Sequence, residues 1–537
     1  MVSNVENRRK MKIELFFEKL AVIILALSML SCEKLLEADS DMKLKAEDHY
    51  SSIGEIYGAF MGLYSSFAKT AEKTIILSGL KGDLLKPTQN ATEDYWRIYR
   101  YEANPDSEVS NAKEYYDVVI NCNDFLTRVI KYNQEVPGDI PENVYKGMIS
   151  QAICFKTWCL MTSGKLFGEA KFYTTPVGSD NEEGMYTLSL DELPAYLQTY
   201  MKGGEDGIDA FQTLDWTAVL GNTNSTLLCR NMSADALYGE LALWAGKYQE
   251  AVDYLLKALS PDKDVYRNLS HYGNTSWSDI FTVEANSTSQ FELISVITFD
   301  AYHRQEQQLK YYFSNEAPNV YYFAPTQKAI DYFENERMNA SSGYRMGDTY
   351  RGNGTTYMQS GSDYLVTKYS LKVSASEFFS DAYVHIYRGG GVNLMLAEAL
   401  AFLGNYDASL AVLNEGIAND YYKSGSWLEP FTNLYTTFSS GCKGVRGRVS
   451  LESLEPLDIF DECVTGADSL RAMSGRIADE VARELAYEGQ RWFTLVRMGR
   501  NMGDTEFVAD RVADKFDEGE VERYKAVLKN ENNWFIK

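Results

Sequence analysis

Histidine is scarce in this chain, four in 537 residues, and His49, His271, His303 and His385 form neither an HExxH pair nor a cluster with cysteine. That argues against a metal centre. Six of the seven cysteines, Cys122, Cys154, Cys159, Cys229, Cys442 and Cys463, show no CxxC and no zinc-like spacing. Cys154 and Cys159 read as small apolar residues on one helix. No G-x-S-x-G elbow, no GxGxxG and no Walker lysine occur, so a marked nucleophile and a phosphate cradle are both missing. The glycines of "RGGGVNLM", Arg388 to Met395, suit a tight approach of one chain segment to another. Basic residues are outnumbered, 52 against 76, for a net charge of −24. Such a field repels phosphate backbones and excludes nucleic acid as a partner class. Among so many acids no pair stands out for glycoside hydrolysis. No cofactor is expected.

What is present is an ordinary globular content, 45% hydrophobic and 24% charged, with 38 tyrosines, rings that combine an apolar face with a polar tip. At the amino terminus "RRKMK" precedes a largely apolar run from Leu20 to Leu30 that ends at Ser31 and Cys32. Eleven residues are too few to cross a bilayer, which takes about 20, so the run reads as the core of a signal peptide. A serine before the cysteine resembles a bacterial lipoprotein signal, in which Cys32 becomes the acylated first mature residue. Residues 1–31 are then the signal and 32–50 a polar tether, with Met11 a second candidate start beside Met1.

Beyond the tether, helical periodicity dominates. "NAKEYYDVVINCNDFLTRVIKY" places Tyr115, Val118, Val119, Cys122, Phe125, Leu126 and Ile130 at spacings of three and four, an amphipathic helix. Ala236–Leu259 and Leu394–Ile417 each run helix, glycine turn, helix. Aligned on Gly246 and Gly404, they share Glu240 with Glu398 and Leu255 with Leu413. This resembles the tetratricopeptide pattern of stacked helix pairs, with more diverged copies expected around 46–69 and 111–168. Between the repeats, Trp277–Thr326 and Ser342–Tyr369 are rich in aromatics and turn formers and lack a helical period; only "FELISVITF" suggests a short strand. Long irregular insertions on a helical scaffold tend to carry function.

"RELAYEGQRWFTLVRMG", Arg483 to Gly499, concentrates acids and bases beside a tryptophan. Ile477, Val481, Leu485, Trp492 and Val496 recur at helical spacing, so the segment is expected to be one amphipathic helix. Glu488 and Arg491, three apart, and Glu480 and Glu484, four apart, then face neighbouring turns in a charge-stitched framework. The same residues, with "IYRGGGVNLMLAEALAFLGNYDASLAVLN" and "YYDVVINCNDFL", resemble the SusD/RagB family. Thr494 stands where that pattern has aspartate, and Gly390 and Gly391 where an acid is common.

The resemblance implies a mostly α fold: a right-handed array of tetratricopeptide-like pairs with long irregular loops and a few short strands. Residues 51–260 would form an amino-terminal helical region, packed as one globular unit with a carboxy-terminal region, 261–537. It further implies an outer-membrane, lipid-anchored protein at the cell surface, partnered with a SusC-like TonB-dependent transporter and binding a nutrient without cutting it. Oligosaccharide is the leading ligand; oligopeptide, as in the RagB-like branch, or a structural role without ligand are the alternatives. Sugar recognition needs aromatic faces and planar amides. The candidates are Tyr95, Trp96, Tyr99 and Tyr101, with Trp277, Tyr302, Tyr311, Tyr312, Tyr321 and Tyr322 in the later insertion.

Overall fold

The computed structural model describes residues 50–104, 106–174, 185–221, 230–259, 274–282, 292–299, 305–371, 381–414, 416, 443–455 and 463–537. Cys32 and the signal lie outside them. Helices dominate, and the strands, at most five residues long, form antiparallel two-stranded pairs. Residues 57–537 make a single compact unit.

The Ile53–Lys81 helix is one piece that continues past the 46–69 stretch in which a diverged repeat copy was expected. Its Phe60 and Phe67 meet Phe125 and Phe155, with ring centroids 5.4 and 4.6 Å apart, on the paired helices Lys113–Glu135 and Glu142–Phe167. Cys154 and Cys159 are buried there as thiols. The last carbonyls of Ile53–Lys81 have no helical partner. Lys515 supplies one, its Nζ donating to the carbonyls of Leu80 at 2.7 Å and Gly82 at 2.8 Å.

The two repeats fold as the helix pairs Ala234–Trp244 with Tyr248–Leu259 and Gly389–Phe402 with Tyr406–Leu413. They stack, Tyr248 lying 4.8 Å from Phe402. The aligned glutamates do matching work: Glu240 accepts from Lys165 at 2.9 Å, and Glu398 receives both arms of Arg497 at 2.7 Å. "FELISVITF" does contain a strand, Leu293–Ile297, paired with Val384–Arg388. The turn-rich insertion is more ordered than its composition suggests. It holds the Gly343–Met346 strand, paired with Arg337–Ala340, and a second hairpin of Tyr357–Ser360 with Asp363–Val366.

The segment read as one helix is two. Gly466–Glu484 ends, and Arg491–Met502 begins after a turn in which Tyr487 and Gly489 take φ of 63° and 81°. Apolar residues recur at spacings of three and four within each helix, so the pattern matched one; the left-handed turn between them has no period to detect. The charges do form ion pairs, but mainly across the fold. Glu484 accepts from Arg351 at 2.7 Å and Arg388 at 2.6 Å and also meets Arg448. Glu480 accepts from Arg351 and Arg446, and from Arg483 one turn on; Glu488 from Arg388 and Lys368. Arg491 turns away from Glu488 to clamp Asp83 at 2.7 and 2.9 Å. Burial alone would raise these carboxylates; the surrounding guanidiniums prevail and hold Glu480 and Glu488 down at about 2. Gly390 makes room for the cluster, since a Cβ there would stand 2.3 Å from Glu484 Oε1.

Candidate functional site

One face of the Ile53–Lys81 helix, Ser65, Ala68, Lys69 and Glu72 at spacings of three and four, lines a cavity of about 510 Å³. The opposite wall comes from the end of the Leu293–Ile297 strand, Ile297, Thr298 and Phe299, and from Gln305, Glu306 and Gln308. That size suits a small ligand. Lys69, Glu306 and Gln308 are exposed at its rim, whereas Glu72 is buried, its Oε2 accepting the Gln308 N–H at 3.2 Å. Burial pushes the Glu72 carboxyl up to about 8; the Gln308 bond opposes this, Asp381 adds to it and Lys69 offsets it.

Beside the cavity stands an aromatic cluster. The Leu85–Pro87 strand pairs with Phe323–Pro325, which draws the Glu93–Tyr99 helix against Tyr322. Tyr95 lies 6.0 Å from Tyr322, and Tyr312 stacks on Tyr322 at 5.8 Å. All three rings are half-buried, so part of each surface reaches solvent. Tyr312 is linked to the cavity: burial and then the nearby Glu72 raise its hydroxyl above the ordinary value. Tyr311 is half-buried on the same Leu309–Phe313 helix, and Trp96 is half-buried with its ring 5.9 Å from Tyr99.

The other sequence candidates go elsewhere. Tyr99 and Tyr101 pack on the carboxy-terminal region, their rings 5.0 and 6.5 Å from Phe516, and their hydroxyls donate to the carbonyls of Lys515 and Lys81. Tyr321 turns inward and donates to the Tyr364 carbonyl at 2.9 Å. Trp277 corrects the sequence reading outright: it is 1% exposed, and the guanidiniums of Arg388, Arg448 and Arg351 sit 5.2, 5.4 and 6.0 Å from its ring. With the Lys368 ammonium also 5.8 Å from it, a ring so covered by cations offers no face to a ligand. Tyr302 lies outside the described residues.

Sequence reasoning missed Glu72. Its only signal was an acid in "FAKTAEKTIIL", with Ala68, Ile75 and Ile76 beside Lys69 at spacings of three and four. Among the described residues no group of acids, histidines and cysteines is arranged for a metal, and no helix is long and apolar enough to cross a membrane.

Residues 296–535 match the model of the SusD family. A SusD superfamily protein from Bacteroides vulgatus shares the fold with a TM-score of 0.62 at 15% identity, over 91% of this chain and 96% of that one. A laminarin-binding SusD-like protein superposes with a TM-score of 0.52 at 16% identity, over 88% and 95%. Surface glycan-binding protein A from Bacteroides uniformis does so at 0.54 and 16%, over 87% and 92%. No curated protein matches the chain. Residues 296–535 thus carry a SusD-family region, and the mostly helical fold with tetratricopeptide-like pairs is the fold of the solved SusD superfamily proteins.

Proposed function

We propose that the protein captures oligosaccharide at the cell surface without cleaving it and hands it to a SusC-like, TonB-dependent outer-membrane transporter. The observation that carries this reading is the open cavity of about 510 Å³ beside the half-buried Tyr95, Tyr312 and Tyr322. A sugar ring has apolar faces and a polar edge. The tyrosines suit the first, and the amides of Gln305 and Gln308 with the hydroxyls of Ser65 and Thr298 suit the second. The SusD-family match over residues 296–535 supports the reading, as does a fold shared with proteins described as laminarin-binding and glycan-binding. Lipid on Cys32 would hold the protein at the outer membrane, with residues 57–537 as the receptor.

Calorimetry with laminarin, α-glucan and peptide fragments tests the reading. A glycan is expected to bind, and Tyr312→Ala and Tyr322→Ala each weaken it by about tenfold while the fold is kept. Peptides binding where glycans give no heat overturns it, and chromatography after long incubation is expected to show no shortened products. Labelled fatty acid should enter the native chain and not Cys32→Ala.

A further inference from the structure

Among the described residues, every buried carboxylate but one lies within 4.0 Å of a lysine or arginine: Asp83, Glu240, Glu292, Asp348, Asp381, Glu398, Glu480, Glu484 and Glu488 all do. Glu72 is the exception. It is 9% exposed, it borders the cavity, and its Oε1 takes no hydrogen bond among the described residues. The titratable groups around it do not neutralise it. Lys69, on its own helix, stands at the exposed rim beyond ion-pair distance. Asp381 is of like sign and is already held by Lys310 at 2.8 Å and by the Gln307 N–H at 3.0 Å. Tyr312 and Tyr369 face it as neutral phenols, and Glu306 lies on the far rim.

We propose that the ligand brings the missing cation: the cavity takes an oligosaccharide bearing a primary ammonium, that of a de-N-acetylated hexosamine, which seats against Glu72 Oε1. This deepens the capture reading and rests on it. A buried acid without a cation costs stability, and that cost is retained as binding energy for a ligand that supplies one. The polar lining already described serves the ring hydroxyls. In the empty protein near pH 6 the Glu72 carboxyl holds its proton, its value being pushed up to about 8. Arrival of –NH3+ turns –COOH into –COO−, and the proton leaves to solvent, so binding is coupled to release of about one proton.

The test is calorimetry on the full mature chain at pH 6, in two buffers of different ionisation enthalpy. The probes are a glucosamine tetramer, its fully N-acetylated counterpart and laminarin oligosaccharides. The amine form is expected to bind about tenfold more tightly than the acetylated form and to release about one proton. Glu72→Gln, which keeps the shape and the acceptor for Gln308, is expected to abolish both the preference and the release. Equal affinities, no proton release, or a preference that survives in Glu72→Gln overturns the inference. In those cases heat from the acetylated or laminarin probe leaves the capture reading standing. If no saccharide gives heat and a peptide with a free amino terminus does, both fall.

Discussion

Glu484 and Glu72 are the same side chain, both nearly sealed from water on long helices, and they end in opposite states. Glu484 sits among Arg351, Arg388 and Arg448, which hold its carboxyl below the ordinary value against the push of burial. Glu72 has one backbone N–H and no cation in contact, and burial carries it up to about 8. Burial therefore fixes neither charge nor role. The pairing decides, and it separates a region whose charges complete one another from a region whose charge waits for a partner.

The comparison breaks most visibly at its closed end. Glu484→Gln leaves three buried guanidiniums short of a counter-ion, and unfolding by denaturant is expected to show a loss of about 3–5 kcal/mol; unchanged stability would mean that the cluster is ornament. Gly390→Ala tests the same region by volume. Its Cβ would stand 2.3 Å from Glu484 Oε1 and 2.7 Å from Arg388 Nη1, with a cost of about 1–3 kcal/mol.

Acid and base separate the two regions by sign. Glu480 and Glu488 have folded values depressed from 4.5 to about 2, so their contribution is present above 4.5 and is lost as pH falls through about 2. Glu72 is raised from 4.5 to about 8, so its contribution is full below 4.5 and is lost as pH rises through about 8. Urea titrations at several pH values should show acid unfolding of the native chain. From low to high pH Glu72→Gln should gain on the native chain; parallel curves would remove the distinction. The smallest expected effect on the fold is at the open end, where Tyr322→Ala should shift stability by about 1 kcal/mol or less and register mainly in glycan affinity.

Trp277 and Tyr312 show where reading the sequence stops. Both lie in the same aromatic insertion and looked alike as candidate platforms. One is 1% exposed beneath guanidiniums contributed by residues 351, 388 and 448, and the other stands half-open beside Tyr322. Tyr99 and Tyr101 were lost in the same way, to contacts with Phe516 over four hundred residues away. Exposure of an aromatic depends on which distant element covers it, and local composition carries no such information.

Local periodicity, by itself, determined the Lys113–Glu135 helix, the repeat pairs around Gly246 and Gly404 with their matched glutamates, and the framework nature of Arg483–Gly499. These follow from spacings of three and four along a single segment, which the chain writes directly. Tertiary structure alone decided that this segment is broken at Tyr487, that Glu484 pairs with arginines up to 133 positions away, and that Glu72 faces a cavity with no cation in contact with it. Ion pairs and cavities join residues remote in sequence, so their partners exist only once the chain has closed on itself.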